Sequence, residues 1–341
     1  MKALQLQGAN RLALIETPVP QPGDDQLLIR TGAAIICTSD LNDIRSNPFN
    51  IGLPVVIGHE AAGTVAAVGR AVKGFSVGDR VATHPVHPCG LCSECRQGRG
   101  HLCPAMSHFG MNLQGTFADY YLVRADRARR ILFSMPFTTA ALAEPVCVCL
   151  EALAQARLAP GARLLVLGDG PFGVMIATLA AAWKPALTVI AGHHDRRLAF
   201  ARGAVPVNVK NSAGAAAALQ APAGGAGYDA VILAIGRPEA AQMGLALLRN
   251  KGRLVVFSAV PEPVPLDLLS VHIKELEIAG ACNDEDRFDE ALLRLGDPRI
   301  DLGRLVTKTF PLDRYHEALD AAAGGHETDM KIAFTFDGSA G

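Results

Sequence analysis

The sequence predicts a mixed α/β protein in two parts: a strand-and-turn part, then a doubly wound parallel sheet. Three observations carry this. First, 341 residues, half of them hydrophobic and only 5% aromatic, are enough for about two domains, and such Ala-, Val-, Leu- and Gly-rich composition suits packed α/β layers better than an all-β sandwich. Second, the texture changes near residue 150, where short alternating segments give way to apolar runs followed by Ala-rich helical stretches. Third, a glycine-rich turn joins the first of those runs to the helical stretch after it.

In chain order, "DDQLLIRTGAAII", "HEAAGTVAAVG" and "SVGDRVATHPV" read as short strands with Gly/Pro punctuation. "CVCLEALAQARL" reads as a helix. "ARLLVLG", "ALTVIAG", "YDAVILAIG" and "GRLVVFSAV" then alternate with helical stretches. That rhythm is βαβαβ, a parallel sheet covered on both faces. A helix, "DRFDEALLRL", and short mixed elements close the chain. The expected domains are 1–148 with 286–341, carrying a small lobe at 85–105, and 149–285.

A formal net charge of −1 gives no reason for a nucleic-acid partner. The N-terminus lacks an apolar signal core, and the apolar stretch 164–183 is broken by Gly, Asp and Pro. It reads as strand–turn–helix rather than a membrane span. A cytoplasmic location is expected, where thiols stay reduced and clustered cysteines serve metals or catalysis rather than disulfides.

Cys89, Cys92, Cys95 and Cys103 follow C-x2-C-x2-C-x7-C. Two-residue spacers let thiolates converge on one tetrahedral ion, and four thiolates leave no open position, so the site is expected to be structural zinc. A redox CxxC pair is the alternative, but it belongs near a βαβ unit. Elsewhere Cys37, His59, Glu60 and Glu144 offer one thiolate, one imidazole and carboxylates. These donors suit an open zinc site, although spacing alone does not bring them together. Taken singly, Cys37 reads more readily as a small core residue and His59 as a satisfied core histidine.

Gly168, Gly170 and Gly173 form G-x-G-x-x-G between an apolar strand and an apolar helix, the context that motif requires. The glycines give the tight turn, the close approach to a pyrophosphate and the close helix–strand packing; the pyrophosphate sits at the helix N-terminus, beside Pro171 and Phe172. An acid is expected some 20 residues on, at the end of the next strand, to bond the ribose 2′-hydroxyl.

"CTSD", "GHEAAG", "VGDRV", the four-cysteine lobe, "AEP" and "GDGPFG" occur in the order and approximate separations of the zinc-dependent medium-chain dehydrogenases. The chain resembles that family over essentially its whole length, and most of all the sorbitol (polyol) dehydrogenase branch. The resemblance implies a GroES-like, mostly-β catalytic domain and a Rossmann domain. It implies catalytic zinc on Cys37 and His59, Glu60 as ligand or exchange partner, Glu144 at the third-ligand position, Asp40 holding His59, and Ser39 bonding the substrate oxygen. Cys147, Cys149 and Cys282 match no ligand position and are expected to be small buried hydrophobes.

In the family frame the strand-end acid falls at Gly192, with His193, Arg196 and Arg197 following. Loss of a carboxylate there favours NADP(H) over NAD(H); Arg197 is ambiguous, and Asp195 is a displaced acid if the turn is built differently. The implied chemistry is hydride transfer between a secondary alcohol or polyol and the nicotinamide, with zinc as Lewis acid. Asn42 stands where many relatives carry His, so the proton leaves by another route, through Glu60, Glu144 or Asp43. Asn283 and Asp284 replace an Arg–Tyr pair of sorbitol dehydrogenases and read as a solvated loop. Amino alcohols, aminocyclitols and sugar phosphates are alternative substrates. A zinc-stabilised NADPH-binding protein without alcohol chemistry is the alternative of another class. A homodimer or homotetramer built through the nucleotide-binding sheets is expected.

Overall fold

The computed structural model describes residues 1–336 except 49, 132–133, 211–213 and 325. The chain forms two units: Met1–Pro145 with the residues from Glu285 onward, and Val146–Asp284. Residues 337–341, the end of the segment assigned from sequence to the catalytic domain, lie outside the described residues.

The first unit is the GroES-like one. Its larger sheet runs in the order Ala128–Arg130, Arg80–Thr83, Glu60–Val68, Gln26–Ile35, Lys331–Thr335, Val306–Pro311, and Tyr120–Arg124 also pairs with Gln26–Ile35. Within it, Ile35 lies opposite both Glu60 and Ala333. That register brings residues 37, 59–60 and 331 to one end of three neighbouring strands. Alternating side chains fill the core, including Leu27, Ile29, Val65, Val81, Tyr121, Val123 and Phe334. Each large apolar side chain so buried contributes about 1.5–3 kcal/mol. A two-residue strand pair, Val86–His87 with Ser107–His108, brackets the cysteine lobe.

The second unit holds a six-stranded parallel sheet in the order Val205–Asn208, Leu187–Gly192, Arg163–Leu167, Tyr228–Leu233, Leu248–Val256, Glu277–Gly280. The third strand in space is the first in sequence, so the winding reverses beside it, the arrangement of a Rossmann fold. Leu164, Leu165 and Val166 are fully buried, as expected of a strand with both faces covered. The helix Pro171–Leu179 follows, with Pro171 at its first turn, where its missing N–H costs nothing.

The apolar stretch Phe137–Ala156 is long enough by composition to cross a membrane, yet 78% of its most apolar window is buried within the protein. It is a core element. Cys147 and Cys149 are fully buried, as expected. Cys282 is exposed, which corrects its reading as a core residue. Asp284 is only 3% exposed; a buried acid replaces the solvated one expected there, while Asn283 is half-buried.

Candidate active site and metal centres

Cys37 ends the segment after Gln26–Ile35 and caps the helix Thr38–Ser46. Asp40, in the first turn of that helix, accepts a 2.8 Å hydrogen bond from the Cys37 backbone N–H. Its other oxygen lies 3.1 Å from His59 Nδ1. One carboxylate thus closes a capping box and fixes the imidazole so that Nε2 is left for a metal. Cys37, His59 and Glu60 are all buried, and their ligand atoms lie within 4.8 Å of one another. In this pocket burial works to lower the His59 pKa, but the Asp40 charge and hydrogen bonding outweigh it and hold His59 well above its usual value.

Two residues near this trio escaped the sequence reading. Lys331 Nζ donates to both Glu60 oxygens at 2.7 Å. His108 stacks obliquely beside His59, ring centroids 5.5 Å apart, and burial first, then the His59 charge, lowers its pKa to about 3. Glu144 lies in the first turn of Ala143–Ala156 and is buried, but it does not join the group of three. Its charge does reach Lys331, where it acts to raise the ammonium pKa. Ser39 is half-buried, Asn42 exposed and Asp43 buried. Burial and then Asp40 raise Asp43 to about 6, against a lowering by His59.

The second cluster is Cys89, Cys92, Cys95 and Cys103. Sulfur separations are 3.9 Å for 89–95, 3.4 Å for 92–95 and 3.7 Å for 92–103. A tetrahedron with Zn–S of about 2.3 Å has edges of about 3.8 Å, so the thiols already stand at the corners such an ion needs. Backbone N–H groups of Leu91, Cys89 and Cys95 point at the Cys89, Cys103 and Cys92 sulfurs. The N–H groups of Leu91 and Cys92 lower Cys89 to about 6, while burial and then Cys92 push Cys95 up to about 11. Four close sulfurs cannot all become thiolates without a cation among them.

In the second unit the glycine turn forms a cradle. Gly168 has φ +125°, and a Cβ there would lie 2.7 Å from the Ala234 carbonyl oxygen. A Cβ on Gly173 would lie 1.9 Å from the Gly168 carbonyl oxygen. Above Gly170 there is open space, and no side chain caps the helix that Gly170 begins, which leaves its N–H groups for an anion. Phe172 packs edge-on against Phe257, centroids 5.3 Å apart. A cavity of about 420 Å³ lies beside this turn, lined among others by Asp169, Gly192, His193, Arg237 and Glu239. Arg197 is half-buried on the short helix Asp195–Leu198 and does not line it. Asp195 is engaged with Asn208, whose side-chain amide donates to it at 2.7 Å.

A buried Cys–His–Glu trio, a tetrathiol lobe and a dinucleotide cradle in one chain define a zinc-binding oxidoreductase. Residues 23–132 match the alcohol dehydrogenase GroES-like domain and residues 171–296 the zinc-binding dehydrogenase domain. The chain is 30% identical over 339 residues to sorbitol dehydrogenase of Bacillus subtilis, covering 97% of this chain and 96% of that one. It is 31% identical over 338 residues to L-threonine 3-dehydrogenase of Edwardsiella ictaluri, covering 96% and 97%. A solved Escherichia coli structure, described as a short chain alcohol dehydrogenase complexed with NADH, superposes with TM-score 0.92 at 27% identity, covering 98% of this chain and 99% of that one. The chain belongs to the zinc-containing medium-chain alcohol dehydrogenase family, and it is a zinc-binding, NAD(P)-dependent dehydrogenase.

Proposed function

We propose that this enzyme interconverts a secondary alcohol or polyol and its carbonyl, with Cys37, His59 and an acidic side chain holding the catalytic zinc and the four-cysteine lobe holding a structural one. The observation that carries the reading is the convergence of three buried donors from positions 37, 59 and 60 within 4.8 Å. When bound, zinc supplies a Lewis acid for the substrate oxygen and the nicotinamide supplies the hydride acceptor.

This chain's residues do the rest. Asp40 holds His59, and Lys331 holds Glu60. Glu60 is therefore the exchange partner, and Glu144 is the third ligand that the family frame assigns. Ser39 bonds the substrate hydroxyl, and Asp43 takes its proton. An acid held near 6 can accept and release a proton close to neutral pH. The dinucleotide lies on Gly168, Gly170, Pro171, Phe172 and Gly173, with Gly192 and His193 on the adenosine side; Arg197, expected there from the family frame, does not line that cavity. The similarity to an L-threonine 3-dehydrogenase supports an amino alcohol as the second reading. The protein is a homo-oligomer: Ile278 is exposed on the edge strand Glu277–Gly280, and Leu268, Leu269 and Ile273 on the helix Leu268–Lys274, apolar side chains suited to burial against a second copy.

Metal analysis and a substrate panel test this together. Two zinc ions per chain, one lost in Cys37→Ser, and turnover of a secondary alcohol, polyol or amino-polyol are expected. One zinc, unchanged by that substitution, would leave only the structural lobe.

A further inference from the structure

The NADP(H) expectation rests on an acid-free end to the strand Leu187–Gly192. In the folded chain that strand end is not acid-free. Asp169, between Gly168 and Gly170 on the neighbouring strand's exit, reaches across to it. Its Oδ2 accepts 2.8 Å hydrogen bonds from the backbone N–H groups of both His193 and His194. The same oxygen lies 3.0 Å from His194 Nδ1. A Cβ built on Gly192 would lie 2.3 Å from the Asp169 carboxyl carbon. The carboxylate therefore stands where the first atoms of a residue-192 side chain would be, and glycine at 192 is what makes room for it.

We infer that Asp169 supplies, from the glycine turn, the carboxylate missing at position 192, and that the site selects NAD(H) over NADP(H). Three features carry this. Asp169 is 9% exposed and lines the adenosine-side cavity, so its charge is poorly screened. All three of its bonds fall on Oδ2, which leaves Oδ1 to accept from a ribose hydroxyl. The two N–H groups at the strand end, which a 2′-phosphate would otherwise bind, are already taken. Of the other charged groups, His193, Arg237 and Glu239 line the same cavity, so its lining carries two carboxylates and one exposed guanidinium. A 2′-phosphate, with about −1.5 to −2 charges, meets repulsion where a hydroxyl meets a charge-assisted acceptor.

The inference rests on the dehydrogenase reading above, and its test uses binding alone. NADH and NADPH are titrated against the full-length protein by their fluorescence, without substrate. NADH is expected to bind about 10–100-fold more tightly, the scale of one hydrogen bond to a charged group. Asp169→Asn keeps the shape and removes the charge, and should cut that ratio at least about tenfold, mainly by tightening NADPH. The double variant Asp169→Gly/Gly192→Asp clears the Asp169 Cβ, which would itself lie 2.3 Å from a Cβ at 192, moves the carboxylate onto the strand and should restore preference for NADH. A wild type that prefers NADPH, or a ratio unmoved by Asp169→Asn, would overturn the inference and leave the dehydrogenase intact. Should Asp169→Asn not fold, the wild-type ratio and the double variant decide. Binding of neither dinucleotide would sink both.

Discussion

Lys331 gives its ammonium to both carboxylate oxygens of Glu60, with neither side chain more than 3% exposed. The two residues are 271 positions apart and meet because their strands flank Gln26–Ile35. Burial alone would lower the Lys331 pKa, but the charges of Glu60 and Cys37 raise it further than burial depresses it. The lysine is therefore a fixed cation at the edge of the metal pocket. Removing one partner of a buried pair strands the other charge and costs about 3–5 kcal/mol. Lys331→Met and Glu60→Gln should each destabilise the protein on that scale in urea unfolding, and the double variant should cost well under their sum. Additive costs would mean the two side chains do not interact.

The two metal sites should separate by stability. Serine at 37 keeps a good helix cap and loses the thiolate, so Cys37→Ser should shed one zinc with a small change in Tm. Cys103 is fully buried beside the lobe's other thiols. Cys103→Ser should release the other zinc and lower Tm sharply, because metal affinity in a tetrathiol site is folding free energy. Metal content and calorimetry on the two variants check this.

His87, on the short strand before the lobe, is 7% exposed, and its Nε2 is buried with no hydrogen-bond partner among the described residues. Burial, then Arg127 and Arg124, lower its pKa to about 4. The unfolded chain, with an ordinary histidine, takes up a proton at higher pH than the folded one. Stability is therefore full above about pH 6.5, falls as pH drops toward 4, and loses no more from this group below that. The full effect is about 3 kcal/mol. Urea unfolding between pH 4 and 7 should show a shallower loss in His87→Gln than in the wild type; equal slopes would assign the acid sensitivity elsewhere.

The parts legible in the sequence are those encoded by near neighbours along the chain. The Gly168–Gly173 turn and the four-cysteine spacing specify local backbone, so they can be read directly. Cys37 and His59 became a pair only through family resemblance, since strand register, not spacing, unites them. What stayed hidden is through-space chemistry: Asp169 filling the void of Gly192, Lys331 neutralising Glu60, and the burial of Asp284. The first two depend on which strands become neighbours. Asp169 did leave one signal, a charged residue inside a glycine turn where a small or apolar one would serve.

Gly58 sets the position of His59, and two separable costs forbid a side chain there. Its φ of +94° lies in the left-handed region, and a Cβ would sit 2.3 Å from the Phe117 ring. Phe117 is fully buried, edge-on to Phe334 at 5.0 Å, so the ring has nowhere to go. Gly58→Ala should cost about 1–2 kcal/mol from the backbone conformation and about 1–3 kcal/mol from overpacking. It should also displace His59 and weaken the Cys37-dependent zinc, since imidazole placement governs metal affinity. Adding Phe117→Ala removes every ring atom the Cβ would meet and not the backbone strain, so, measured against Phe117→Ala alone, Gly58→Ala should cost about half as much, while zinc binding returns only in part. Metal titration and urea unfolding of both variants resolve the two contributions. Full recovery of both would show that the ring contact alone, and not the backbone conformation at 58, demands glycine before the metal-binding histidine.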